Sequence, residues 1–179
     1  RARLGGRMRF MVVGAAALAP QHARTFIGLG LPILQGYGLT EFSPVISANR
    51  PGDNDPLSVG RPLEGVEVKT LADGELLARG PSLMMGYWNN PEATAATIDA
   101  DGWIHTGDLV RIKDGRIYIT GRAKDIIVLS NGEKVPPSDA EQAILMDPAF
   151  EQVLVLGEGR GHLGLLVGSK LEDKHELCR

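Results

Sequence analysis

The chain has 179 residues, of which 43% are apolar, and its 19 basic and 22 acidic residues give a net charge of −3. This composition is typical of a globular protein with one domain or two small ones. It argues against a nucleic-acid-binding protein, because the chain has no excess of basic residues to neutralise phosphates. It also provides no polybasic membrane anchor. The single cysteine, Cys178, excludes an internal disulfide framework and a cysteine-rich metal site, so we expect a reducing, cytoplasmic setting.

The N-terminal residues have the outline of a targeting signal, because four arginines precede an apolar run at residues 10–19. Gly14 interrupts this run, which is also too short to span a bilayer. We therefore expect the run to belong to the fold. Because no initiating methionine precedes Arg1, we also expect the chain to be a piece of a longer protein.

The first third alternates strand and helix patterns. Apolar residues at 8–13 predict a buried strand, small residues at 14–17 a turn, residues 20–29 a helix and residues 31–34 a second strand. This order is typical of a β-α-β unit with a parallel sheet. Open α/β sheets bind ligands at the carboxyl ends of their strands, where the small-residue turns would lie.

Residues 60–120 have an antiparallel pattern instead. Strict alternation predicts half-buried strands at 66–69 and 116–120. Asn90 as an N-cap, followed by Pro91, predicts a helix that ends at residue 98. Three Asp-Gly pairs predict hairpins, at 73–74, 101–102 and 114–115.

The last segment mixes helix and strand. A strand at 125–129 is followed by an Asn-Gly turn at 131–132. Ser138 and Glu141 form a predicted capping box for a helix over 139–146. The charged residues at 171–179 predict a solvated end, and two further strands are predicted at 153–156 and 163–167.

Residues 36–41, with the sequence GYGLTE, are the first candidate site. The two glycines would let the backbone approach a ligand, and Tyr37 offers a flat face for a purine. Thr40 and Glu41 offer a hydroxyl and a carboxylate for phosphate and a hard cation. The alternative is a plain tight turn with an exposed acid.

Four further residues could contact a ligand or move with one. Asp108, at the end of a predicted strand, could accept hydrogen bonds from both ribose hydroxyls, or it could simply close a turn. Arg122 could bind ribose or phosphate, or form a surface ion pair with Asp125. Lys124 could be a hinge residue. Gly132 could leave room for a thin ligand chain, or form an ordinary hairpin turn.

Other features receive structural interpretations. The apolar and aromatic segment at 80–88 is interpreted as packing. The four histidines have no ligand-like spacing, and the sequence contains no phosphate-binding P-loop, zinc-protease or nucleophile-elbow motif.

Four motifs in a fixed order carry a family resemblance: GYGLTE at 36–41, GYWNNPEAT at 86–94, GWIHTGDL at 102–109 and GRAKD at 121–125. The series closely resembles the adenylate-forming enzymes, the superfamily of acyl-CoA synthetases, firefly luciferases and peptide-synthetase adenylation domains. The resemblance covers residues 13–167. Within the superfamily, the chain is most similar to bacterial long-chain fatty-acid CoA ligases, on the sequences at 43–47, 59–63 and 127–132.

The resemblance implies a reaction in two steps. ATP and a carboxylic acid, here a fatty acid, give an acyl adenylate and pyrophosphate, and the thiol of CoA then displaces AMP. It also implies a fold: the α/β end of a large domain with an antiparallel, β-barrel-like part over residues 1–121, followed by a small, mobile α+β domain over 122–179.

The resemblance assigns nucleotide roles to five residues. Tyr37, within the motif that contains Gly36 and Gly38, would stack on adenine, and Thr40 would touch phosphate. Glu41 would help to hold Mg²⁺. The ribose would be bound by Asp108 and Arg122.

Four other positions match family features. Ala15 and Ala16 match a small-residue loop that lines the adenine pocket. Lys124 matches the hinge about which the small domain rotates between the half-reactions. Gly132 matches the glycine that lets the pantetheine arm of CoA pass.

Two family features do not occur in the chain: the Ser/Thr/Gly-rich phosphate loop and the C-terminal catalytic lysine. Lys170 and Lys174 lie outside any matching motif. We therefore expect the chain alone to be inactive. Two alternatives stay open: an adenylation domain that loads a carrier protein, and a non-catalytic nucleotide-binding module. A fatty acyl substrate would suggest work near a membrane surface.

Overall fold

The computed structural model describes residues 5–16 and 18–169, so Cys178, Lys170, Lys174 and the predicted charged end at 171–179 lie outside the described residues. The chain divides into two compact units, Arg1–Thr120 and Gly121–Arg179. Within the described ranges, no helix combines the length and the apolar character that crossing a membrane requires.

The first unit begins with the predicted β-α-β arrangement. Strand β1 (Met11–Val13), helix α1 (Pro20–Gly28) and strand β2 (Ile33–Tyr37) follow one another, and the two strands pair in parallel. Proline suits the first helical position because its missing N–H would have no partner there. The β-α-β prediction is confirmed, although β1 is shorter than predicted and β2 continues to Tyr37. The prediction that the first strand is buried is wrong, because Val12 is 67% exposed and its two neighbours in β1 are only partly buried.

The first sheet is mixed rather than parallel. Strand β3 (Ser47–Ala48) is antiparallel to β2, and strand β4 (Arg61–Pro62) is antiparallel to β3, in the order β1-β2-β3-β4. The connection at residues 38–46 is shorter than the dozen or so residues that a parallel crossover needs. The parallel prediction therefore holds only for β1 and β2.

A second sheet has four strands in the order β5-β6-β7-β8. Its strands are β5 (Glu67–Thr70), β6 (Glu75–Arg79), β7 (Ile104–Lys113) and β8 (Arg116–Arg122). Strand β6 pairs with β5 and β7 in antiparallel fashion. The Asp-Gly pairs at 73–74 and 114–115 connect neighbouring strands, as predicted.

Helix α2 (Pro91–Thr97) begins as predicted, because the Asn90 side chain accepts a hydrogen bond from the Ala93 N–H at 3.0 Å. The Asp-Gly pair at 101–102 reverses the chain as predicted, in a turn between α2 and β7 that is closed by a single antiparallel bridge between Ile98 and Ile104 rather than by two paired strands. The Asp99 carboxylate accepts the N–H groups of Trp103 and Asp101 in this turn, and these hydrogen bonds lower the pKa of Asp99.

Two clusters of buried side chains form the core of the first unit. One contains Phe42, Ile46, Ala78 and Ile104, and the other contains Leu76, Val110 and Ile117. Two half-buried side chains, Tyr37 and Val68, pack against both clusters. The Tyr37 side chain thus packs against both parts of the core while it stays partly exposed.

The second unit is a small α+β structure. Strands β9 (Ile127–Val128) and β10 (Lys134–Val135) form an antiparallel hairpin, and β11 (Phe150–Leu156) pairs antiparallel with β12 (Gly164–Ser169). Helix α3 (Pro137–Ile144) lies between them in the chain. The core of this unit is formed by Ile127, Leu129 and Val155.

The predicted capping box of α3 is wrong. The helix begins at Pro137, before the predicted start, and no side chain caps it. Proline fits the first helical position without an N–H to satisfy. Glu141 is used elsewhere: its Oε1 accepts the Val155 N–H at 2.9 Å and links α3 to β11.

Candidate functional site

The carboxyl ends of β1 and β2 lie side by side because the two strands are parallel. A Cβ added at Gly14 would lie 3.4 Å from the Gly36 carbonyl oxygen, so the loop after β1 runs close to β2. Ala15 and Ala16 are exposed in this loop, and Ala15 has a left-handed backbone with φ +67°. Both predicted alanines therefore lie at the edge where an open α/β sheet presents ligand sites.

The glycines of the GYGLTE motif have different surroundings. Gly36 lies within β2, as does Tyr37, rather than after the strand as predicted. A Cβ at Gly38 would overlap the Pro44 carbonyl oxygen, so close packing of the chain on itself requires a glycine there. The prediction that Gly38 admits a ligand is therefore not needed to explain this residue.

A short 3₁₀ turn, Thr40–Phe42, follows β2. Phe42 is fully buried in the core, whereas Thr40 is exposed and Glu41 is half-buried. The turn ends at Ser43, whose left-handed backbone has φ +53°. Burial of Phe42 fixes the turn, and the two predicted phosphate and cation residues are held at the surface beside it.

Tyr37 and Asp108, two predicted nucleotide residues, are joined directly. The Tyr37 hydroxyl donates a hydrogen bond to Asp108 Oδ2 at 2.6 Å across a separation of 71 residues. Asp108 is only 5% exposed. A buried carboxylate is stable only when hydrogen bonds compensate for the water it has lost, and Tyr37 supplies one of them.

The predicted strand end at Asp108 is wrong, because Asp108 lies inside β7 at a bulge. Between the pairs Glu75–Leu109 and Leu77–His105, β6 advances by two residues whereas β7 advances by four. The glycine just before Asp108 has φ +69°, a conformation that few other residues adopt. Bulges re-aim side chains, and this one determines where the Asp108 carboxylate points.

Side chains from both strands hold the bulge. The Thr106 hydroxyl donates to the Leu76 carbonyl at 2.8 Å and accepts the Asp108 N–H at 3.1 Å. Glu75 Oε1 accepts the Gly107 N–H at 3.0 Å. The sequence does not reveal these partners, because they depend on a register shift.

Glu41 has a partner that the sequence analysis missed. The Tyr87 hydroxyl donates to Glu41 Oε1 at 2.8 Å, and this hydrogen bond raises the pKa of Tyr87. The packing interpretation of residues 80–88 is wrong for part of the segment, because Met85 and Trp88 are among the most exposed apolar side chains and Tyr87 is 37% exposed. The motif at 86–94 contributed to the family resemblance, but nothing in its spacing predicted a contact between residues 87 and 41.

In the second unit, Arg122 is exposed at the end of β8, and the other predicted residues lie in two exposed turns. The Asp125 N–H donates to the Arg122 carbonyl at 3.1 Å, and Lys124 lies within that turn. Gly132 lies in the β9–β10 hairpin with φ +84°, and its N–H donates to the Leu129 carbonyl at 2.8 Å. The Asn-Gly hairpin prediction is confirmed, and a Cβ at Gly132 would meet no atom within 4 Å.

The donor set around Glu41 fits a cation carried by phosphates. In the part of the chain that the structure describes, no three His, Cys, Asp or Glu residues are grouped as metal ligands. Mg²⁺ is commonly bound by one or two carboxylates together with substrate phosphates and water. A single, partly exposed carboxylate such as that of Glu41 is sufficient for that mode of binding.

Two family models match the chain over most of its length. The AMP-binding enzyme model matches residues 1–88, and the AMP-binding enzyme C-terminal domain model matches residues 124–177. The chain belongs to the AMP-binding, adenylate-forming enzyme family. The fold class implied by the resemblance is thereby confirmed.

Individual relatives agree with this assignment. The chain is 39% identical over 168 residues to the long-chain-fatty-acid–CoA ligase FadD15 of Mycobacterium bovis, covering 93% of this chain and 28% of the relative. It is 34% identical over 190 residues to the long-chain-fatty-acid–[acyl-carrier-protein] ligase AEE15 of Arabidopsis thaliana, covering 94% and 26%. The chain thus spans about a quarter of the length of these curated relatives.

A solved structure gives the same result for the fold. The o-succinylbenzoate coenzyme A synthetase of Bacillus subtilis, in complex with ATP and magnesium, is similar with a TM-score of 0.80 and 25% identity, covering 99% of this chain and 42% of that one. This structural relative binds ATP and magnesium, and it is named for a different acid from the long-chain fatty acid in the names of the curated relatives.

Proposed function

We propose that this chain forms the nucleotide-binding part of an ATP-dependent acid–thiol ligase that activates a long-chain fatty acid and transfers it to CoA. The hydrogen bond between Tyr37 and Asp108 carries the proposal. It brings together two residues, 71 positions apart, to which the family resemblance gives adenine and ribose roles. It does so beside the carboxyl ends of β1 and β2, where nucleotides bind in open α/β sheets.

The residues at this edge would each bind a different part of the nucleotide. The half-exposed Tyr37 ring would stack on adenine, against the loop that contains Ala15 and Ala16, and Asp108 would accept the ribose hydroxyls. Asp108 is nearly buried and already accepts the Tyr37 hydroxyl, so the ribose would share this carboxylate with Tyr37. The nucleotide would then be bound by groups that are already fixed, which reduces the entropy lost on binding.

Thr40 and Glu41 would meet the phosphates. A carboxylate substrate reacts poorly until its oxygen becomes part of a good leaving group. When that oxygen attacks the α-phosphate of ATP to form the acyl adenylate, the bond to pyrophosphate breaks and negative charge moves onto pyrophosphate. Glu41 would hold Mg²⁺ together with the phosphates, and the ion would supply positive charge to stabilise this step. The exposed Thr40 hydroxyl would donate a hydrogen bond to a phosphate oxygen.

The second unit would serve the thioester step. Arg122 would bind the ribose, and the exposed turn with Lys124 would rotate between the half-reactions. The open space around Gly132 would let the pantetheine arm of CoA pass.

We also propose that the protein is cytoplasmic and works at a membrane surface, because long-chain fatty acids partition into bilayers.

A carrier-protein acceptor is the second candidate, because one relative at 34% identity is named as an acyl-carrier-protein ligase. The test is pyrophosphate release by the complete gene product, with ATP, Mg²⁺ and acids of graded chain length, in the presence of CoA, of acyl carrier protein, or of neither. We expect release that requires a long-chain acid, with CoA converted to a thioester. Thioester on the carrier protein alone would favour the second candidate. The absence of release with every acid would overturn the ligase and favour a non-catalytic nucleotide-binding module.

A further inference from the structure

One short segment, residues 84–87, holds Glu41 at both its backbone and its side chain. The Met84 N–H donates to the Glu41 carbonyl at 2.8 Å, and the Tyr87 hydroxyl donates to Glu41 Oε1 at 2.8 Å. Glu41 itself lies in a turn that the buried Phe42 fixes. The backbone of Glu41 is therefore fixed, and its carboxylate is hydrogen-bonded to the segment at residues 84–87.

The segment that carries Tyr87 is itself anchored to helix α2. The Tyr87 N–H donates to Thr94 Oγ1 at 2.9 Å, and this hydroxyl donates in turn to the Asn90 carbonyl at 2.9 Å. Gly86 has φ +147°, and a Cβ there would approach Thr94 Cγ2 at 2.8 Å, so the segment packs directly against the helix. The backbone of residue 87 thus positions the tyrosine ring, although the side chain is exposed to solvent.

We infer that Tyr87 is a positioning residue that holds the Glu41 carboxylate in the orientation in which it meets a phosphate-bound divalent cation. This inference rests on the proposed function of Glu41. A glutamate side chain loses substantial rotational freedom when it binds a cation, and a hydrogen bond that restricts it beforehand reduces that cost. Tyr87 uses one carboxylate oxygen, and the second oxygen can then face the cation.

The hydroxyl of Tyr87 is the group to remove. Tyr87→Phe keeps the ring and the backbone contacts to Thr94, and it deletes the hydroxyl that bonds to Glu41 and also contacts Thr97. The chain offers a matched control: Tyr118→Phe deletes a hydroxyl that donates to the Asp55 carboxylate at 2.9 Å. Glu41→Gln serves as the reference for loss of the carboxylate charge.

The experiment measures ATP binding to the complete gene product by calorimetry, with and without Mg²⁺, and pyrophosphate release across a Mg²⁺ titration. For Tyr87→Phe we expect the gain in ATP affinity caused by Mg²⁺ to fall by about fivefold, as is typical of the loss of one hydrogen bond to a charged, partly exposed group. The Mg²⁺ concentration for half-maximal release should rise by a similar factor, and saturating Mg²⁺ should restore the rate. Tyr118→Phe should show neither change.

An unchanged Mg²⁺ dependence in Tyr87→Phe would overturn the inference. So would a loss of activity that saturating Mg²⁺ does not restore, since a purely structural role would lower the rate at every Mg²⁺ concentration. If the wild-type protein releases no pyrophosphate with any acid, the proposed ligase activity fails. The calorimetric comparison then still decides whether Tyr87 acts on Mg²⁺-dependent ATP binding.

Discussion

The two units present their predicted functional residues in different ways. In the first unit, Asp108 is nearly buried in a bulged strand and is bonded to the half-buried Tyr37. In the second unit, Lys124 and Gly132 lie in exposed turns. The side chains of Tyr37 and Asp108 are therefore fixed by the sheets of the first unit, and substitutions of these two residues should change how tightly a ligand binds. The exposed turns should act through backbone shape, so substitutions there should change one step and spare the other.

Asp108→Ala gives the largest effect that we expect from the first unit. Loss of hydrogen bonds to a charged group costs about 1.5–3 kcal/mol, so ATP affinity should fall by roughly 30-fold and both half-reactions should slow. Calorimetric titration of the complete gene product with ATP measures this. Asp55→Ala is the control, because Asp55 also accepts a tyrosine hydroxyl. Unchanged ATP affinity in Asp108→Ala would contradict its assignment to the ribose.

Lys124→Pro tests the backbone role of the first exposed turn in the second unit. Proline fixes φ, and a hinge must absorb backbone rotation. We expect thioester formation to slow by about tenfold, which corresponds to about 1.4 kcal/mol, while adenylate formation stays within about twofold. Lys124→Ala keeps the backbone free and is the control. Equal loss of both steps in the proline variant, measured in single-turnover experiments, would remove the hinge assignment.

Gly132→Ala tests the second exposed turn. Its φ of +84° makes alanine unfavourable by about 1 kcal/mol, yet no atom of the chain lies within 4 Å of the added Cβ. Gly52 has the same φ and the same empty surroundings, so Gly52→Ala reproduces the backbone strain alone. We expect Gly132→Ala to slow the CoA-dependent step by about threefold beyond its control. Identical rates in the two variants would show that Gly132 serves only the turn.

Tyr118→Phe gives the smallest effect and measures the stability supplied by a tyrosine–carboxylate pair in the first unit. The hydrogen bond to Asp55 raises the pKa of Tyr118 in the folded state. The contribution to stability is therefore complete below about pH 10 and is lost as the pH rises through the folded-state pKa. Urea unfolding at about pH 8 should show a decrease of about 0.5 kcal/mol in the variant, and this difference should shrink above about pH 10. A difference that grows with pH would reverse the sign we assign.

Local sequence signals predicted the elements that depend on neighbouring residues. The Asn90 cap, the β-α-β unit and the hairpins at residues 73–74, 114–115 and 131–132 all use side chains and turns that are close in sequence. The order of the four motifs identified the family, although each motif alone has a plain structural alternative. Both results come from information that is written locally along the chain.

Contacts between distant residues could not be predicted in the same way. The bulge at Asp108 arises from a shift in register between β6 and β7, and the sequence contains no record of that register. The bond between Tyr87 and Glu41 joins two loops 46 residues apart. The capping box at Ser138 and Glu141 was predicted wrongly because Glu141 bonds to a strand that follows later in the chain.

The most direct test of the account is a crystal structure of the complete gene product with ATP and Mg²⁺ bound. We predict adenine against Tyr37, the ribose hydroxyls at Asp108, the phosphates beside Thr40 and the cation at Glu41. A nucleotide bound away from the carboxyl edge of β1 and β2, with Tyr37 and Asp108 untouched, would contradict the central claim.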